Sequence, residues 1–168
     1  MTVEFLRTKT TTVQAVSAES LEAVWRFCDD LTDAEVRLQV ALPDLEITAA
    51  EATVRRFTHP GYAGGADAVS RVRGVRIGPG LRKIVTGLVA PEPGADELVE
   101  GVLEACNAVI LHFTLPHIRA LEGMSEEEAL AANRTLVEQN PRMLGSCAVW
   151  QPGSPLLEAL GVEPGGER

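Results

Sequence analysis

An α+β fold is what this sequence predicts: an antiparallel meander of about four strands, covered on one face by helices, one of them long. Three observations predict it. The first third alternates apolar and polar residues with a period of two. The remainder carries apolar positions at helical spacing, interrupted by Gly and Pro. The apolar runs of the first third follow one another too closely to leave room for crossover helices.

Val3 to Val16 is rich in Thr and Val, which suit a pleated, half-buried surface, and reads as the first strand. Ser17-Ala18-Glu19-Ser20 supplies a turn. Leu21, Ala23, Trp25 and Phe27 then alternate with Glu22, Val24, Arg26 and Cys28. The clearest strand follows, with Val36, Leu38, Val40 and Leu42 facing one way and Glu35, Arg37 and Gln39 the other. Pro43-Asp44 turns the chain, and Ile47 to Phe57 returns as a partner strand.

Asp67 to Arg73 reads as a short helix stopped by Gly74, and Leu81 to Val89 as another, starting after Gly78-Pro79-Gly80. Past the Pro91-Glu92-Pro93-Gly94 break, a long helix runs from Asp96 to Leu115 and towards Pro116. Leu98, Val102, Ala105, Cys106, Val109 and Phe113 form its apolar stripe, opposite Glu97, Glu100, Glu104 and Asn107. Beyond Asn107 the polar face gives way to Leu111. The second half of the helix is therefore expected to be covered on both sides, by the chain itself or by a second subunit. Ser125-Glu126-Glu127-Glu128 is a capping box, and its helix should end at Asn140-Pro141. Ser154-Pro155 opens a last short helix ended by Gly161.

The 168 residues suit one domain, expected over 1–162, with 163–168 as a disordered tail. Net charge is −9 and the pI about 4.8, which argues against nucleic acid and anionic membranes as partners. The three cysteines Cys28, Cys106 and Cys147 are widely spaced, so neither a disulfide framework nor a zinc ribbon is expected. The start Met1-Thr2-Val3-Glu4-Phe5 lacks a basic region followed by an apolar run, so a cytoplasmic protein is expected. No fingerprint names a cofactor.

One segment reverses the charge of the chain. No Asp or Glu occurs between Asp67 and Glu92, yet Arg71, Arg73, Arg76, Arg82 and Lys83 do. A glycine-rich turn leading into a helix exposes backbone N–H groups, and the helix dipole favours an anion there. Arg76, Gly78, Gly80, Arg82 and Lys83 are thus candidate ligand-binding residues. The spacing is neither GxGxxG nor GxxxxGK[ST], so no nucleotide fingerprint is present. The alternative is a tight turn whose arginines pair with the surplus acids.

His59, in a loop after Arg55-Arg56, is a candidate acid or base, with Arg55 as electrostatic help. His112 and His117 are five apart on a helix and cannot chelate together. Cys106 falls in the apolar stripe and reads as a buried inert thiol. Cys28 sits beside Asp29-Asp30, which would raise its pKa. Cys147 is a candidate nucleophile with no base near it in sequence. Asp29, Asp30 and Asp33 surround a turn; Asp33 is a candidate catalytic carboxylate. Glu97, Glu100 and Glu104 share a helix face without histidine at ligand spacing, so no metal site is expected.

The order of motifs resembles that of a bacterial family, domain-of-unknown-function family 2889. It is carried by the alternating strand, Pro43-Asp44-Leu45-Glu46-Ile47, Ala49-Ala50-Glu51-Ala52, Gly74 to Gly80, and Glu97-Leu98-Val99-Glu100, over roughly Asp30 to Cys147. The resemblance implies a His-Asp pair before the alternating strand and a Gly-Cys-x-His-Leu run opening the long helix. Here the matching stretches read Leu31-Thr32-Asp33 and Gly94-Ala95-Asp96-Glu97-Leu98. Asp33 and Leu98 match; both histidines and the cysteine are replaced. Any chemistry those groups supply in the family is lost or rebuilt here. The layout is also similar to iron–sulfur scaffold proteins, at fold level alone, since the cysteines here are not clustered.

Two functions follow as expectations. One is a protein that binds a small anionic or acyl ligand, or an enzyme acting on one, in a bacterial metabolic or biosynthetic pathway. The other is a non-catalytic assembly subunit, joining a homo-oligomer or a different partner through Leu111, Phe113 and Leu115 of the long helix.

Overall fold

Four strands pair in chain order as an antiparallel meander, β1 (Thr8–Ser17), β2 (Ser20–Cys28), β3 (Asp33–Ala41) and β4 (Glu46–Arg56). The computed structural model describes residues 4–57, 65–145 and 148–162. The chain divides into two compact units, Met1–Thr114 and Leu115–Arg168. With its helices, the first unit has the expected α+β architecture.

Alternation sets the faces of the sheet. Leu21, Ala23, Trp25 and Phe27 of β2 and Ala34, Val36, Leu38 and Val40 of β3 are buried on one side. Glu22, Arg26, Glu35 and Arg37 stand on the other. The first strand begins at Thr8 rather than near Val3, because β2 ends opposite it at Cys28 and offers no further partner. Ile47 and Ala50 carry the core into β4.

Helices close the buried side. The expected 67–73 helix is α1 (Gly65–Ala68) continued as a 3-10 turn, Val69–Val72. A Cβ on Gly65 would lie 3.2 Å from Ala95, so the backbone passes close there. Then come α2 (Leu81–Val89) and α3 (Asp96–Leu121). Leu98, Val99, Gly101, Val102, Ala105, Cys106 and Val109 of α3 are buried. The helix continues through Pro116, which lacks the amide that would bond one turn back.

The second unit holds α4 (Glu126–Gln139) and α5 (Pro155–Leu160) around Val137, Trp150, Leu157 and Leu160. The capping box has the expected form: the Glu128 amide donates to Ser125 Oγ, and the Ser125 amide donates to the Glu128 carboxylate at 2.8 Å.

Candidate functional site

The cationic turn is built by pairing with the start of β4. The Gly74 amide donates to the Ile47 carbonyl (2.8 Å), Ile47 donates to Val75 (2.9 Å), and Ile77 donates to Leu45 (2.9 Å). Glu46 and Arg76 thereby form an antiparallel bridge. This covers part of the outer edge of β4 and brings Asp44 and Glu46 towards Arg76. Arg76 lies 3.8 Å from Asp44 and 4.0 Å from Glu46. Arg82 pairs with Glu100 at 2.9 Å, and Arg71 with Glu92 at 2.6 Å.

Gly78 and Gly80 lie in the turn before α2. Gly80 is its N-cap, with φ of 80°, a left-handed conformation in which a side chain would be strained. Among the described residues no side chain caps α2. Lys83 is exposed and, among the described residues, makes no ion pair.

Arg55 and Asp33 belong to another place. Arg55 stands at the far end of β4 from Glu46, about 30 Å away along an extended strand, so Arg55 and Arg76 cannot grip one small ligand. It reaches Asp33 at 3.4 Å and Glu35 at 3.2 Å. Glu35 is the centre of a network on the outer face of the sheet. Arg26 lies 2.9 Å and Arg37 3.0 Å from it, and its side chain is only 9% exposed beneath them. Burial alone would push its carboxyl up; hydrogen bonds from Arg55 and Arg37 and the charge of Arg26 outweigh that and hold it below the ordinary range.

Asp29 is a second such group. Its carboxylate accepts from the Leu31 and Thr32 amides (2.8 and 2.7 Å) and from Arg7 (2.9 Å). Burial opposes its ionisation, but these bonds win and lower its pKa. Arg56 donates to the Asp29 carbonyl. Asp29 is thus a loop-forming residue that fixes the turn from β2 to β3.

Burial pushes the Cys106 thiol up to about 12, as an inert core cysteine requires. Glu100 and Glu104 are engaged by Arg82 and by the Trp25 indole, whose Nε1 donates to Glu104 at 2.6 Å. No group of three potential metal ligands forms among the described residues. His117 is 3.0 Å from Asn133. His59, Cys147 and the tail 163–168 lie outside the described residues.

An apolar surface of the first unit lies on α3. No charged side chain occurs between Glu104 and Arg119. Val109 is buried, but Ile110 is exposed, and Leu111 and Phe113 are 53% and 46% exposed. Within the first unit, this stretch is left open on the side of Ile110, Leu111 and Phe113. Phe113 joins Leu42, Pro43 and Leu45 around an apolar hollow of about 260 Å³. Leu45 has φ of 55°, a left-handed conformation that leucine rarely adopts. Helix α3 is long and apolar enough to cross a membrane, with mean hydropathy 1.5. Its first half, however, is the helix that buries the sheet.

No family model, curated protein or solved structure matches this chain.

Proposed function

We propose that this protein is a self-associating assembly subunit that docks through the exposed apolar stretch of α3. The observation that carries the reading is the run Ile110, Leu111 and Phe113, exposed on a helix without charge from Ala105 to Ile118. A two-fold contact sets residues near its axis against their own copies, so like charges would meet there. In a chain of net charge −9, a neutral surface avoids that repulsion. The occupant is therefore a second copy of this chain. The left-handed Leu45 supports the reading, since such a conformation persists where its surroundings hold it and often marks a functional surface.

Leu111→Glu tests it. The side chain is exposed, so the fold should survive, while two carboxylates would meet across the contact. The wild type should sediment as a dimer or larger and the variant as a smaller species, with dissociation strengthened by about tenfold or more. A wild type that is monomeric at high micromolar concentration overturns the reading.

A second reading keeps a small anionic or acyl ligand at the cationic turn. Its support is the uncapped start of α2 at Gly80, with Lys83 exposed beside it. Thermal shift against phosphate, carboxylate and CoA-type ligands tests it. A ligand at about 100 times its Kd should stabilise the wild type by about 2.7 kcal/mol, and Arg76→Ala with Lys83→Ala should abolish the shift. Equal shifts in both proteins count against this site.

A further inference from the structure

We infer that the open edge of β1 is a second self-association surface, where the β1 strands of two copies pair antiparallel across a two-fold axis. The inference rests on the difference between the two edges of the sheet. In the strand order β1-β2-β3-β4, β1 and β4 are the outer strands. The start of β4 is covered by Val75 to Ile77, through Ile47–Val75 and Ile77–Leu45 hydrogen bonds. Among the described residues no segment does this for β1.

An open strand edge is a row of N–H and C=O groups that pairs with any other edge it meets. Proteins blunt such edges with short strands, charges, prolines or bulges. β1 spans 10 residues, TKTTTVQAVS, with Lys9 as its one charge and neither proline nor glycine. Its register with β2 is unbroken from Thr8 to Ala15, and the irregularity comes only at Ala15/Ser17. From Thr10 to Ser17 it is neutral and rich in Thr and Val, the composition that favours strand pairing.

The partner follows from symmetry and charge. Two identical strands related by a two-fold axis run antiparallel, the arrangement this sheet already uses. Residues that face one another are then drawn from the same neutral segment, so no like charges meet between Thr10 and Ser17. The core also reaches this edge: Thr11 and Val13 lie opposite Trp25 and Ala23 and are half-buried, so a second β1 would extend their cover. The contact is independent of α3, and a chain using both surfaces builds beyond a dimer.

The test is Thr12→Lys with Gln14→Lys. Both residues are exposed and pair with Val24 and Glu22 on the polar side of β2, so the monomer fold should persist. Circular dichroism checks this. The added lysines put two further positive charges on the edge of each copy, and pairing across the edge should weaken by about tenfold or more. Sedimentation should give a smaller species for this variant than for wild type, and a smaller one again when Leu111→Glu is added. Hydrogen exchange should show β1 amides protected in wild type and released in the lysine variant. Unchanged size and unchanged β1 exchange in the folded lysine variant would overturn the inference, whatever Leu111→Glu does. If the lysine variant dissociates and Leu111→Glu does not, the edge contact stands and the α3 contact falls.

Discussion

Gly101→Ala is expected to destabilise the first unit by about 2 kcal/mol, although the same change in an open helix stabilises by roughly 0.5–1 kcal/mol. A Cβ on Gly101 would lie 2.6 Å from Trp25 Cε3 and 2.9 Å from Cδ2 and Cζ3. Those are ring carbons of a rigid indole that is 0% exposed, so no flexible chain end can swing aside. The indole is also tethered, because its Nε1 donates to Glu104 one turn along the same helix. Either α3 lifts from β2, loosening the packing of Leu98, Val102 and Ala105, or the ring turns and loses that hydrogen bond. Urea titration should show the loss at unchanged slope, with Tm lower by about 4–8 °C. Trp25→Phe provides the second leg of a cycle. A smaller ring leaves space for the methyl group, so Gly101→Ala in that background should cost less than about half as much. A neutral or stabilising Gly101→Ala in the wild type would show that α3 does not approach the sheet this closely.

That contact marks the limit of what the sequence displays. Alternation at Val36, Leu38 and Val40 displays a strand because period two is a local property. Gly78-Pro79-Gly80 displays the start of α2, and Ser125 with Glu128 displays the start of α4, because caps are local too. The closeness of Trp25 to Gly101 depends on how a strand and a helix 76 positions apart along the chain meet. A signal existed: Gly101 falls beside Val102 on the apolar side of α3, where a glycine costs helix stability and often marks close approach. The fate of the cationic turn was equally non-local. Its arginines stand out in a charge count, but the bridge from Arg76 to Glu46, which brings Asp44 within reach, depends on the pairing of residues 74–77 with β4. Glu35 reads as a solvent-facing residue by alternation. It is buried because arginines on β2, β3 and β4 fold over it, and register between strands is not written in any one of them.

Glu35→Ala is expected to destabilise the sheet by about 2 kcal/mol, the scale of hydrogen bonds to a charged partner. The carboxylate holds Arg37 and Arg55 by hydrogen bonds and Arg26 by an ion pair, and removing it sets three cations together on one face. The loss should stay near the lower end for a buried ion-pair group, since the arginines are partly exposed and can turn to water. Acid should act on the same network. The folded pKa of Glu35 lies below its unfolded value of about 4.3, so its stabilisation is complete above that pH and is lost as pH falls through the folded pKa. Wild-type stability should therefore be flat near neutrality and decline below about pH 5. Glu35→Ala should show a shallower decline, with the remainder carried by Asp29 and Glu128, whose pKa values are lowered as well. Urea midpoints measured from neutrality down to mild acid for both proteins distinguish the outcomes. Parallel curves would mean that Glu35 titrates normally and that the arginines do not hold it; converging curves at low pH are the expected result.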